Sequence, residues 1–227
     1  LGTLSHGQLM REAYPGAVYY HRAIAYRVTK VAMSTRKVSV RKEKRYFTKP
    51  TKLPLQIFPN VAPDDLYADV LHGPLRMTEC NLAIRERVVG FKERRGNNEF
   101  NVAYPLDASL SLFFDQPYFN RNMFTSGVVI THPALDGPPT ADLQALSDML
   151  LEAFLMEIPF DRQDIGAGFG VFKQEINGFP AGTKFICLYD KQHSLRLSGE
   201  IVNETAIRAI LARAVDMCSG GESTQMQ

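Results

Sequence analysis

From residue 17 to residue 40 apolar side chains recur at every second position: Val18 and Tyr20, then Ile24, Tyr26 and Val28, then Val38 and Val40. A period of two puts alternate side chains on opposite faces, so this stretch predicts half-buried antiparallel strands. Tyr14-Pro15-Gly16 supplies a turn leading into them and Ser34-Thr35-Arg36 a turn between them, because small polar residues, Gly and Pro satisfy turn backbone locally. Thr48 to Pro63 carries Pro50, Pro54, Pro59 and Pro63. Proline donates no N–H to a ladder, so this segment predicts an extended connector and a domain boundary. Arg76 to Arg95 then reads as one long or bulged strand, interrupted in its alternation at Glu86 and Arg87 and ending in the turn Gly96-Asn97-Asn98. Glu99 to Tyr104 returns as its partner, and Val128-Val129-Ile130 marks a buried strand within Asn122 to Thr131.

The period changes late in the chain. Leu143, Leu146, Met149, Leu150, Ala153 and Phe154 recur at helical spacing between Pro138-Pro139 and the stop at Pro159. A second helix is expected from a Ser198 cap, with Glu200 and Glu204 near its N-terminal end and Ile201, Ile207, Ile210, Leu211 and Val215 buried. Strands at Phe169 to Ile176 and Lys184 to Tyr189, joined by a turn at Asn177 to Gly182, lie between the helices. Ser219 to Gln227 is expected to fray. No internal repeat points to a solenoid.

Composition sets few limits and charge sets a sharper one. The 227 residues are 45% hydrophobic, ordinary for a packed globular chain, and the formal net charge is +2. No run approaches the roughly 18 apolar residues of a membrane span, and the first residues lack a signal pattern, so a cytoplasmic chain without a membrane partner is expected. Leu1 in place of Met suggests a piece of a longer polypeptide. Between Lys30 and Lys52, however, Lys30, Arg36, Lys37, Arg41, Lys42, Lys44, Arg45, Lys49 and Lys52 face Glu43 alone, a local charge of roughly +8. A field so concentrated attracts polyanions, of which nucleic acid is the commonest, whereas a plain solvated sheet face is the alternative. Tyr46 and Phe47 directly follow Lys44 and Arg45, the pairing of rings with cations that single-strand binders use to stack bases.

Motifs for chemistry are weak. GxxxxGK[ST] is absent, and the glycine cluster Ile165-Gly166-Ala167-Gly168-Phe169-Gly170 runs toward a strand, which predicts a tight turn rather than a phosphate loop. Asp161 and Asp164 offer paired carboxylates for metal or acid–base work, and the competing reading makes Asp164 a turn cap and Arg162 a local partner. His6, His21, His72, His132 and His193 show no ligand spacing, and Ser194 beside His193 lacks a nucleophile-elbow pattern. Cys80, Cys187 and Cys218 form no CxxC pair and predict buried or inert thiols, so no catalytic residue and no metal ligand is assigned.

Several segments resemble one family in order. Tyr14-Pro15-Gly16-Ala17-Val18-Tyr19-Tyr20-His21 followed by Ala25-Tyr26-Arg27-Val28 resembles "YPGAIYLHQG…YLV" in the C-terminal regions of superfamily 2 DNA helicases of the MrfA and Hrq type. Arg87-Val88-Val89-Gly90-Phe91-Lys92 resembles "VTGYKK", Tyr104-Pro105-Leu106-Asp107 "PLDLP", and Phe124-Thr125-Ser126-Gly127-Val128 "FHTTGVW". Phe160-Asp161-Arg162-Gln163-Asp164-Ile165-Gly166 resembles "CDRRDIGG", and Phe185-Ile186-Cys187-Leu188-Tyr189-Asp190 "IFIYD". The resemblance covers roughly residues 12 to 217 and implies a DNA-binding accessory region that follows two motor domains and ends in an MrfA-like zinc-binding domain. Two departures stand out. Lys191-Gln192-His193-Ser194-Leu195-Arg196 replaces the family's "GYPGGIG", and its C-terminal cysteine cluster is lacking apart from Cys218, so zinc is not carried over. A metal-free variant of the domain is implied, as in divergent helicases and helicase-partner subunits of phage-defence systems.

The expected fold is therefore α+β: a small basic antiparallel β-barrel of SH3-like or OB-like type with its Pro-rich connector over residues 1–60, then a mixed α+β domain with two long helices over 61–227. Its expected role is to hold DNA, single-stranded or at a junction, for a helicase motor in cis or in trans. ATP and Mg²⁺ belong to that motor, and the chain itself has no cofactor and no catalysis. Arg36, Lys37, Arg41, Lys42, Lys44, Arg45 and Lys49 are the expected phosphate contacts, and Tyr46 or Phe47 the stacking ring. The rivals are a protein-docking module, in which the basic strand meets an acidic surface, and a metal-dependent nuclease built on Asp161, Asp164 and Glu175. DNA repair and phage defence are both open pathways.

Overall fold

The computed structural model describes residues 2–106, 111–192 and 195–222. In chain order the first elements are α1 (His6–Glu12), β1 (Val18–His21), β2 (Ile24–Ala32), β3 (Lys37–Lys42), β4 (Phe47–Lys52), β5 (Gln56–Asn60) and β6 (Leu66–His72). There follow β7 (Leu75–Arg95), β8 (Asn98–Ala103), β9 (Phe119–Thr131), α2 (Thr140–Glu157), β10 (Ile165–Val171), β11 (Lys184–Asp190) and α3 (Glu204–Glu222). The class is α+β, and all the strand pairs with a resolved register are antiparallel.

Two compact units divide the chain: Leu1–Pro54 with Arg85–Asn122, and Leu55–Ile84 with Met123–Gln227. The chain thus passes from one to the other after Pro54, within β7 and within β9. This differs from a single division at residue 60, because the β7–β8 hairpin packs with the N-terminal strands. The predicted proline connector is likewise mostly strand: β4 and β5 both form. Pro50 is tolerated because β4 ends the sheet path and pairs only with β7, and an edge strand has ladder positions that need no donor.

In the first unit, β1, β2 and β3 form a three-stranded sheet with Tyr19 opposite Tyr26, Val31 opposite Val38 and Val28 opposite Val40. β4, the end of β7 and β8 form a second ladder, with Pro50, Phe91 and Val102 in line across it. Met10, Tyr14, Val28, Phe91, Tyr104 and Phe119 fill the core. Helix α1 was not predicted, yet Ser5-x-x-Gln8 is a readable capping box: Gln8 N–H donates to Ser5 Oγ and Ser5 N–H to Gln8 Oε1.

In the second unit, β10, β11 and β9 run in order, and period-two alternation serves two cores at once. Val128, Ile130, Ile186 and Leu188 face the cluster containing Phe154 of α2 and Ile207 and Ile210 of α3. Val129, Phe185, Cys187 and Tyr189 face the cluster of Ile57, Phe172 and Phe179. Strands buried on both faces lose polar alternation, which is why these segments read as continuous apolar runs. The glycine cluster is not a turn before a strand but lies within β10. A Cβ on Gly166 would come within 2.4 Å of the Tyr189 ring, and one on Gly170 within 2.4 Å of Phe185. The predicted Ser198 cap is also displaced. Leu197–Val202 is a 3-10 segment, and the N–H groups of Thr205 and Ala206 at the start of α3 donate to Asn203 Oδ1.

Candidate nucleic-acid interface

Alternation along β3 distributes the basic segment over two sides. Val38 and Val40 pack against the core, so Lys37, Ser39 and Arg41 project outward, while Lys42, opposite Tyr26, shares the parity of Val40 at the strand end. Arg41 and Lys42 therefore leave β3 on opposite faces. Arg36 occupies the β2–β3 turn in the left-handed region, with φ 52°. Lys44 and Arg45 lie exposed in the connection to β4.

That connection is anchored from beneath. Arg27, only 4% exposed, donates to Gly16 O at 2.8 Å and to Glu43 Oε2 at 3.2 Å, and pairs with Glu93, which is 2% exposed. Lys44 N–H donates to Glu43 Oε1, and Arg95 closes the set on Glu93. Burial pushes the Glu43 carboxyl up, but the Lys44 N–H, the Arg27 bond and the charges of Arg27 and Arg41 outweigh it and hold the group below its ordinary value. Glu93 follows the same pattern: burial raises it, and the bonds and charges of Arg27 and Arg95 bring it below the ordinary value. The sole acid of the basic segment is thus held internally.

The two rings are not equivalent. Tyr46 lies under the Arg95 guanidinium, 4.9 Å from its ring centroid, and its carbonyl accepts from the Tyr20 hydroxyl at 2.9 Å. Phe47 is 66% exposed and stacks on Tyr20 with centroids 5.9 Å apart and planes 27° off parallel.

The β4–β7–β8 ladder adds residues that sequence reasoning missed. Phe47 lies opposite Arg94, Lys49 opposite Lys92, and Lys92 opposite Asn101. Phe91 and Val102 face the core and Pro50 lies opposite Phe91, so Phe47, Lys49, Lys92, Arg94 and Asn101, of the other parity, share the outer, exposed face. Lys92 meets Glu99 at 3.4 Å, and Arg94 Nε donates to Gly96 O at 3.1 Å. Two lysines set directly opposite one another repel, a cost that an approaching polyanion removes. The signal available in the sequence was the two-residue turn Gly96-Asn97 after an alternating strand, which fixes which of Lys92, Glu93 and Arg94 turn outward.

The remaining candidates have local structural roles. Asp161 Oδ1 accepts from Gln163 N–H, Asp164 Oδ1 accepts from Gln192 Nε2, and Arg162 pairs with Glu152. Glu175 is exposed, and among the described residues no group of three His, Cys, Asp or Glu side chains lies close enough to hold a metal ion. Asp190 is fully buried and accepts from the N–H groups of Leu197 and Ser198, each at 2.9 Å. Burial pushes the Cys80 thiol up to about 12 and Cys187 well above its ordinary value, whereas Cys218 is exposed. His193 and Ser194 lie outside the described residues.

No family model matches the chain, and no curated protein matches it. Solved structures do. A crystal structure of the DUF1998 helicase MrfA bound to DNA is 17% identical with a TM-score of 0.55, over 86% of this chain and 24% of that one. MrfA bound to DNA and AMPPNP is 16% identical at a TM-score of 0.47, over 93% and 24% of the two chains. A further MrfA structure is 17% identical at 0.46, over 91% and 27%. At this identity the likeness is one of fold, and the chain spans about a quarter of the length of the solved chains it matches.

Proposed function

We propose that this chain is the nucleic-acid-binding accessory region of a superfamily 2 DNA helicase, holding DNA for a motor that lies outside these residues. The observation that carries the reading is the exposed face on which Lys49 opposes Lys92 and Phe47 opposes Arg94, with Phe47 stacked on Tyr20. Cations at that spacing meet successive phosphates, and an exposed ring offers a surface to an unpaired base. Fold likeness to a helicase described as bound to DNA supports the same reading. In this proposal about four of Arg36, Lys37, Arg41, Lys42, Lys44, Arg45, Lys49, Lys92 and Arg94 contact phosphate at once, since Arg41 and Lys42 leave β3 on opposite faces. Phosphate contacts carry affinity without sequence preference, so binding is sequence-tolerant to first order. The finer proposals are a single-stranded or junction substrate, a basic β unit of SH3-like or OB-like type and an α+β remainder with two long helices. They extend to a motor in cis or in trans that uses ATP and Mg²⁺, and to a cytoplasmic role in repair or phage defence.

Fluorescence anisotropy of a labelled single strand, titrated at about 50 and about 200 mM salt, tests the reading. Neutralising about four phosphates gives a log–log slope near −2.8, hence roughly fifty-fold weaker binding at the higher salt. Charge reversal of Lys49, Lys92 and Arg94 to Glu is expected to abolish binding while leaving the far-UV circular dichroism unchanged. No binding by the unaltered chain at low salt overturns the proposal and assigns the face to protein docking.

A further inference from the structure

Gly7 is the one glycine of helix α1, and two arginines meet where its side chain would be. A Cβ placed there would lie 3.3 Å from Arg121 Nη1 and 3.7 Å from Arg11 Nη1, so both guanidiniums converge on one point beside the helix. Arg11 reaches it from the next turn of α1, four residues on, and Arg121 from the first residues of β9. Glycine is a poor helix former. Here it leaves room on a helix face that two cations border.

The charges around that point are unbalanced. Lys52 Nζ donates to Glu86 Oε1 at 2.5 Å, and Arg121 Nη1 lies 3.7 Å from Glu86 Oε2. Arg11 is exposed and has no ion pair among the described residues. Three cations thus gather about one carboxylate that Lys52 already holds. His6, beside Gly7 in α1, feels the same field. Burial lowers its imidazole below the ordinary value, the Arg121 charge lowers it further, and Glu86 opposes them only in part. The face that carries Lys49 and Lys92 includes none of these residues.

An anion set between the two guanidiniums removes their repulsion. Guanidinium forks bond phosphate oxygens at about 2.7–2.9 Å, and the oxygens of one tetrahedral group point apart, so a single phosphate reaches both arginines. We propose that Arg11 and Arg121 clamp one phosphate group over Gly7. A backbone phosphate of a bound strand and a free phosphate are two sources of that chemistry. The site goes beyond the nucleic-acid reading above and does not depend on it.

Two measurements on the full chain test the clamp. In the first, thermal melts are recorded in inorganic phosphate and in chloride at equal ionic strength. Phosphate is expected to raise the midpoint, and Arg11→Gln and Gly7→Asp to erase the difference. Gly7→Asp sets an internal carboxylate between the guanidiniums, whereas Gly7→Ala meets only the movable end of Arg121 and is expected to keep the response. In the second, a labelled single strand of roughly fifteen nucleotides is titrated by anisotropy at about 50 and about 200 mM salt. With a backbone phosphate in the clamp, Arg11→Gln lowers the log–log slope by about 0.7, weakening binding about eightfold at the lower salt and about threefold at the higher. That change of slope supports the clamp with the strand as its source, and an unchanged slope with the midpoint response present supports it with a free phosphate. A chain without the midpoint response, whose strand binding is the same in Arg11→Gln and Gly7→Asp, overturns the clamp and leaves the Lys49–Lys92 face standing. Failure of the unaltered chain to bind any strand at low salt overturns the nucleic-acid reading alone, and the melts then decide the clamp.

Discussion

Arg27 is the residue on which the basic connection depends. Its guanidinium holds Glu43 and Glu93 at once and also donates to Gly16 O, all within a site from which water is nearly excluded. Breaking a buried pair by removing one member strands the other charge, which typically costs about 3–5 kcal/mol. Arg27→Met should therefore lower the stability measured by urea denaturation by about that amount, and a loss under about 1 kcal/mol would mean that the two carboxylates find water instead. The pH dependence follows from the same geometry. Both carboxyls are held below their ordinary value of 4.5 in the folded chain, so in the range just below it the unfolded chain binds more protons. Stability from these groups is complete above that value and is lost as the pH falls through the depressed folded-state range. The acid limb of a stability profile is expected to be shallower in Arg27→Met than in the unaltered chain. None of this was visible in the sequence, where Glu43 appeared only as a lone acid among cations. The other carboxylate held by Arg27, Glu93, is 50 positions further along, and the β4–β7 register brings the two ends of the network together.

Strands whose two faces differ were legible, and the elements that escaped have identifiable reasons. β3 follows the alternation at Val38 and Val40 because one face packs and the other is exposed, whereas β2 buries Arg27 and Val28 in succession, on opposite faces, and in β1 Tyr19 rather than Tyr20 packs against the core. β7 was also legible from Arg76 to Arg95, whereas β4 was obscured by Pro50, whose meaning depends on whether the strand lies at an edge. β6 alternates in burial from Leu66 to His72, but the exposed Tyr67 and Leu71 hide that alternation in the sequence. β10 was shifted because glycines usually mark turns. Here they clear space for neighbouring side chains: Gly166 and Gly170 for the rings of Tyr189 and Phe185, their cross-strand partners on β11, and Gly168 for Ile57 of β5. Since a Cβ at Gly166 would meet Tyr189 ring atoms at 2.4 and 2.6 Å, a branched side chain there must displace the ring. Gly166→Val is expected to cost about 1–3 kcal/mol in urea melts, as overpacking does elsewhere, and Tyr189→Ala in the same chain should recover part of it. Additive losses would mean that the two positions do not compete for the same space.

At the scale of the chain, the N-terminal basic strands do not own their core. Of the buried side chains that cluster around Met10, Tyr14 and Val28, Val88, Phe91, Tyr104, Leu106, Leu112 and Phe119 all come from residues 85–122. β4, which carries Phe47 and Lys49, has β7 as its ladder partner, and Lys92 and Arg94 reach the basic face only through that pairing. A division at residue 60, natural from the prolines, therefore cuts through both the core and the candidate interface. Sequence order hides this because the contacts between β4 and β7 close a loop of about 40 residues, and such non-local pairing leaves no local signal. A fragment of residues 1–60 is expected to show no cooperative thermal transition and, even at low salt, to bind a single strand more weakly than the full chain, with a salt slope smaller by about 1.4 for the two lost cations. A cooperative melt in that fragment would show that the three-stranded sheet folds without Phe91 and Tyr104. If it also kept the full slope, Lys92 and Arg94 would drop out of the interface, and the phosphate contacts would belong to β3 and the connection after it alone.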